Sequence, residues 1–466
     1  MLRSDESLAA VARIEDPGRW LTDTIGRTSV VDLLWFALFN LLAFQIYFQE
    51  EMGGLYSYID EVTSLALFVW TSVTLFAGMR RGISGKRSIL ACVALLVLGL
   101  LFGVLSNLTS GVPVRISAIV IDIYTFCKFP IMVLCCVVMP KGNASHGTLW
   151  RMLVFEARAL IFIMGGYAVL NVITGGYSLG MTEGFRYGLP AFAFVFYHPE
   201  VVNMFTLGLI VILLVDNPQG NRAMLFLALL VMCLTLRSKA MGFAAITSVL
   251  LITMRGGRFS SLHVLFGAII AWFVANDQFT IYYENGESAR ALLTQYGSFT
   301  TWLYFPLGSG FATFGSAVTG NALDYSPLYY QYGFNNVWGL SPSGTHFISD
   351  TFWPVVTAQL GMLGAACYTA SIIGGIWLLY RRMQEHGRGA ALAIMALYLA
   401  ICTTASSALF APQWTYVMFA IYMGMRTISV YEQSSHAIGC HAAPATHGLM
   451  SLARRHIFEP ASYVSH

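Results

Sequence analysis

Residues 88–109 read SILACVALLVLGLLFGVLSNLT, a stretch with no charge, and Lys86 and Arg87 stand immediately before it. A hydrocarbon core of about 30 Å takes about 20 apolar residues of helix to cross. This stretch is long enough, and its basic flank marks the cytoplasmic end of a membrane span. Runs of the same kind recur at 29–48, 60–79, 116–139, 152–174, 199–216, 221–236, 240–254, 260–276, 353–380, 389–408 and 413–429. The expectation is an all-α integral membrane protein of about twelve transmembrane helices with one large extracytoplasmic loop. Composition agrees: 57% of the 466 residues are hydrophobic and 11% charged, where a soluble domain carries roughly a quarter charged. The net charge of +3 is small, and no nucleic-acid partner is expected.

Orientation follows from Lys and Arg, which concentrate on the cytoplasmic side. With the N-terminus inside, 19 of the 26 basic residues fall in cytoplasmic segments, Lys128 and Arg158 fall within spans, and five remain outside. Both termini are then cytoplasmic, in the inner membrane of a bacterial cell. The chain divides into a tail over 1–28, nine spans over 29–276, an outward loop over 277–351, three spans over 352–429, and a second tail over 430–466. The first residues lack the basic start and small-residue cleavage site of a signal peptide. The eight cysteines show no metal-ligand spacing and read as packing residues; no metal and no cofactor are expected.

The five outward cations are Arg115, Arg186, Arg237, Lys239 and Arg290. Arg237 and Lys239 sit at the outer tip of a tight hairpin, LTLRSKAMGF. There they suit a phosphate or diphosphate, with Arg as a bidentate fork and Lys as a mobile point charge. The plainer alternative is that both reach toward lipid headgroups. Arg186 stands in a segment too apolar for an ordinary loop, which is expected to dip back into the membrane against protein. His198-Pro199 would start span six. Within the spans, Lys128 is a candidate for a structural ion pair, with Asp122 nearby or with a carboxylate of a neighbouring helix.

The outward loop holds 17 aromatics in 75 residues. Aromatic faces stack on sugar rings, and they also build small cores or rest at a membrane interface. Arg290 opens an amphipathic helix, ESARALLTQYGSFTTWLYF, and the glycine turn PLGSGFATFG follows. Near the loop's end His346 and Asp350 are four apart, a spacing that shares one face of a helix. Both are candidates for a general base or a hydroxyl-orienting group. The plainer reading of Asp350 is the N-cap of span ten.

The order of these pieces resembles the superfamily of O-antigen ligases and Wzy-type polysaccharide polymerases. The matching stretches are RYGLPAFAFVFYHPEVV (186–202), LTLRSKAMGFAA (234–245), SARALL (288–293) ahead of PLGSGFATFG (306–315), and HFISDTFWPVVTAQLGMLG (346–364). Asp350 stands where related enzymes often carry histidine, eleven residues before Gly361, while His346 is fifteen before it. The Asp-x-x-Trp-Pro form looks more like the exopolysaccharide polymerase branch.

The resemblance implies a C-type glycosyltransferase architecture that joins undecaprenyl-diphosphate-linked oligosaccharides into exopolysaccharide or O-antigen at the periplasmic face. Arg186, Arg237, Lys239 and Arg290 would bind the diphosphate, and Asp350 or His346 would act on the acceptor hydroxyl. The partners implied are the lipid-linked oligosaccharide, the bilayer and a chain-length regulator. The alternatives are a ligase handing the chain to another acceptor, and a flippase or transporter of lipid-linked glycan. A transporter predicts inverted repeats and midplane charges, and no repeat is visible.

Overall fold

Ser29 starts the first helix by a reciprocal cap: its hydroxyl accepts the Asp32 amide, and the Asp32 carboxylate reaches back to the Ser29 amide. Helix α1 runs Val30–Ala43 and α2 runs Gln45–Met52, bent from it by 72°. The stretch expected as one straight span, 29–48, is therefore broken at Phe44. The side-chain amide of Gln45 turns to Ser57 O at 2.9 Å and to Asp60 Oδ1 at 2.7 Å. A polar side chain buried at this level takes its hydrogen bonds from the next helix, and the chain bends to let it.

The computed structural model describes residues 29–79, 86–138, 147–176, 180–254, 269, 288–320, 322–344, 347–404 and 406–426. The expected ninth span over 260–276 (Ile269 apart), the start of the loop, His346 and both tails lie outside the described residues. The helices that follow are α3 Ile59–Met79, α4 Lys86–Thr109, α5 Ile116–Val138 and α6 Gly147–Ile173. A short antiparallel hairpin comes next, β1 Thr182–Arg186 with β2 Leu189–Phe192. After it come α7 Pro199–Asp216, α8 Arg222–Leu234, α9 Ser238–Thr253, α10 Ala289–Leu303, α11 Pro327–Gln331, α12 Trp353–Glu385, α13 Gly389–Thr403, and α14 over 413–426.

Among the described residues five helices are long and apolar enough to cross a membrane, and the bent pair α1–α2 makes a sixth. This is the architecture of a multi-pass α-helical membrane protein. Its outer face agrees: Val62, Leu65 and Val69 on α3, and Leu98, Leu101 and Leu105 on α4, are exposed. An apolar belt of that size has no place in water, whereas hydrocarbon covers it at no cost. Burial then sorts the helices. The apolar window of α7 is 83% buried against 28% for α4, so α7 is central and α4 peripheral. On α7 itself, Phe205 stacks on Tyr416 of α14 at 5.8 Å, and both rings are buried.

The turn over 306–315 enters the bundle and fixes the described part of residues 288–350 to it. Helix α12 breaks at Gly361, whose φ of +68° is left-handed, a region closed to most side chains. Into that break fits Gly308, where an added Cβ would stand 2.4 Å from Gln359 O. The carbonyls freed by the break are satisfied from the same turn: Ser309 donates to Ala358 O at 2.7 Å and Gly310 to Gln359 O at 3.0 Å. From α4, Ser106 and Asn107 hold the amides of Gly308 and Phe311. From α5, the buried carboxylate of Asp122 accepts Ala312 N and Ser316 Oγ. Asp122 is thus committed to the turn. Lys128 pairs instead with Asp60 of α3 at 2.5 Å, so the neighbouring-helix partner is the one it takes.

Beyond this anchor the described part of residues 288–350 builds its own small core from Leu293, Phe314, Tyr329, Phe334 and Leu340. Tyr296 stacks on Tyr332 at 4.7 Å beside it. Of the two readings of the loop's aromatics, a small core accounts for many of the rings. Trp302, Phe305, Tyr330 and Trp338 remain exposed.

Candidate functional site

The bundle has two differently furnished ends. At one, Arg158 of α6 reaches Asp216 and Asn221, and Arg222 donates to Met254 O at the end of α9. At the other, the starts of α7 and α9, the hairpin β1–β2 and the turn after α13 bring a set of charged side chains together.

The start of α7 is built around His198. Its Nδ1 accepts the amide of Glu200 at 3.2 Å, which caps the helix, and Pro199 fills the first position, where no amide is needed. Because Nδ1 accepts, a neutral ring carries its proton on Nε2. That atom stands 3.3 Å from Glu183 Oε1 on β1. Burial pushes the imidazole below its ordinary value, against the opposing pull of Glu183, so the neutral, capping form is favoured.

Arg237 ends the tight turn before α9. Its Nη2 donates to Glu183 Oε2 at 2.5 Å and lies 3.3 Å from His198 Nε2. Lys239, two residues on, donates to Glu200 Oε1 at 2.8 Å and to Ser406 Oγ at 3.0 Å. Arg290, at the start of α10, gives both Nε and Nη2 to a single oxygen, Asp350 Oδ2, at 3.1 and 2.8 Å. It is also near enough to act electrostatically on Lys239. Arg237, Lys239 and Arg290 thus belong to one coupled group, although Arg290 is more than 50 residues from Lys239 in sequence.

Arg186, on the same strand as Glu183, shares no hydrogen bond or ion pair with that group among the described residues. It is at the end of β1, paired in register with Leu189, half-buried and without a charged partner among the described residues. The segment expected as an irregular dip is the hairpin itself, followed by the buried rings of Phe192, Phe194 and Phe196. Asp350 does not cap α12. That helix begins at Trp353 with Phe352 before it and no side-chain cap, and one Asp350 oxygen, Oδ1, is left without a hydrogen bond among the described residues. His346 lies outside the described residues.

Two features escape a count of lysine and arginine. The first is that each cation of the group has a carboxylate: Glu183, Glu200 and Asp350. Arg115, the fifth cation expected outside, has Asp324 in the same way. A parallel count of outward acids is the signal that would have found them. The second is backbone strain. Tyr197 before His198 and Leu236 before Arg237 have φ of +59° and +54°, a conformation costing of order 1–3 kcal/mol for such residues. Among known proteins, no family model and no curated protein matches this chain.

Proposed function

We propose that this protein is a polymerase that joins lipid-diphosphate-linked oligosaccharide repeats, working at the outer face of a bacterial inner membrane. In this reading the chain crosses about twelve times, both termini are cytoplasmic, and the aromatic segment over 277–351 faces outward. The observation that carries it is the coupled group of Arg237, Lys239 and Arg290. Three cations drawn from two chain segments, the starts of α9 and α10, suit the charge that develops on a leaving diphosphate.

Each part of the reaction has a residue to serve it. The acceptor hydroxyl oxygen bonds to the donor's anomeric carbon, the bond from that carbon to the diphosphate oxygen breaks, and its electron pair leaves with the diphosphate. Arg237 and Lys239 stabilise that charge as it forms. Arg290 holds Asp350 by one oxygen and leaves Oδ1 to accept the hydroxyl proton. His346 is the other residue for this role. The exposed rings of Tyr330 and Trp338 offer faces for sugars.

The test is genetic. In a strain deleted for the gene, lipid-linked glycan is separated by gel. Single repeats accumulating without polymer are the expected result. Long chains left on the carrier would assign a ligase, and loss of all outward-facing glycan would assign a flippase.

A further inference from the structure

In this structure the Arg237 guanidinium is occupied by Glu183. One carboxylate oxygen takes Arg237 Nη2 at 2.5 Å and the other faces His198 Nε2 at 3.3 Å. The Glu200 amide on Nδ1 selects the neutral tautomer with its proton on Nε2, and that atom stands 3.3 Å from both Glu183 Oε1 and Arg237 Nη2. Two donors, from the start of α7 and the start of α9, thus grip two oxygens of one anion. Two oxygens of a phosphate group present the same pattern.

The grip is incompletely used. Arg237 Nε is buried with no hydrogen-bond partner, and no side chain caps the N-terminus of α9. A helix start leaves amide donors open and favours negative charge. Glu183 uses neither of these, because it comes from the side on β1, and its own side chain is 30% exposed. A pair that is open to solvent on one side and unfinished on the other can exchange.

We infer that Glu183 is an exchangeable counter-ion. The hairpin β1–β2 closes an oxyanion subsite formed by Arg237 and His198, and the diphosphate of the substrate enters by displacing Glu183. The inference rests on the diphosphate reading above and adds two things to it: His198 is a donor to the ligand, and a carboxylate of the protein competes with the ligand. The competition sets specificity. An anion of single charge gains little by replacing a tethered carboxylate, while a diphosphate brings more charge and more acceptor oxygens. Arg186, on the same hairpin and without a charged partner among the described residues, adds positive charge to the element that moves.

The experiment measures binding to the full chain in nanodiscs by calorimetry, with inorganic pyrophosphate in one arm and farnesyl diphosphate in the other. Removing the competitor in Glu183→Gln should tighten binding on the order of ten-fold, the scale of one charge-assisted hydrogen bond. Glu183→Ala should move it the same way, and Arg237→Ala should lose it. Tightening in either arm supports the inference, and the stronger arm tells whether the subsite takes lipid-borne or free diphosphate. If Arg237→Ala loses binding while both Glu183 variants bind like the wild type or more weakly, the hairpin is only a brace and this inference fails alone. If the wild type binds neither probe and no variant changes that, the diphosphate reading fails with it.

Discussion

Lys128 and Arg237 are each held by a carboxylate at 2.5 Å, yet the two pairs sit in opposite circumstances. Asp60 is saturated: Lys128 takes one oxygen and Gln45 the other, and its side chain is 2% exposed. Nothing can reach it, so this pair can only hold α3 to α5. The Arg237–Glu183 pair lies at the end of the bundle, partly open, with a guanidinium nitrogen unused and a second donor, His198, against the same carboxylate. The comparison teaches that an ion pair becomes a candidate for function through access and unfilled bonding capacity. Charge inside a membrane protein, taken alone, does not distinguish the two.

The largest expected difference between the regions is in activity. Asp350→Asn keeps the shape of the side chain but removes the acceptor for a proton, and turnover should fall about 10²–10⁴-fold with the melting temperature unchanged. Near-normal polymer from this variant, with loss in His346→Ala, would move the role to the histidine. A melting temperature that falls with the activity would make the Arg290–Asp350 pair structural and erase the contrast with Lys128.

The buried pair should show the reverse. Asp60→Ala leaves an uncompensated cation in the interior and should cost about 3–5 kcal/mol of stability, read as a fall in melting temperature in detergent. The Arg237–Glu183 pair is partly open, nearer to exposed pairs that contribute about 0–1 kcal/mol, so Glu183→Ala should lose clearly less than Asp60→Ala. Equal losses in the two variants would show that the distinction drawn from exposure is wrong.

The smallest effect concerns His198. Burial lowers its pKa, so the native state prefers the neutral ring that caps α7. That contribution is complete above the unfolded value of about 6.5 and is lost as pH falls through the lower native value. Melting curves at about pH 7.5 and about pH 5.5 should show a larger drop for the wild type than for His198→Asn, since Asn caps a helix without titrating. Identical drops would place the acid sensitivity elsewhere.

The uncharged run at 88–109 announces α4, and Pro199 after His198 announces the start of α7, because a span needs unbroken apolar length and a helix start has its own chemistry. The bend at Phe44 has no proline or glycine to signal it. It arises because Gln45 bonds to residues 12 and 15 positions later, a tertiary choice. Gly361 is visible as a glycine in a span, but not that Gly308 fills the break it makes. The site divides in the same way. Arg237, Lys239, Arg290 and Asp350 stand out because cations are scarce on that side and because Asp350 precedes a span. The pairing of Arg237 with Glu183 and of Lys239 with Glu200 joins residues 54 and 39 apart, and neither acid is unusual in its own neighbourhood.

The most direct test of the central claim is reconstitution. Purified protein in nanodiscs is given undecaprenyl-diphosphate-linked oligosaccharide, and both glycan length and released undecaprenyl diphosphate are followed by gel and mass spectrometry. A ladder of joined repeats with matching release of carrier diphosphate is the expected result. Both should be lost in Arg237→Ala and only partly restored in Arg237→Lys, because a point charge cannot copy a two-pronged donor. A wild-type protein that leaves the oligosaccharide unjoined, but carries it across a sealed bilayer, would contradict the account.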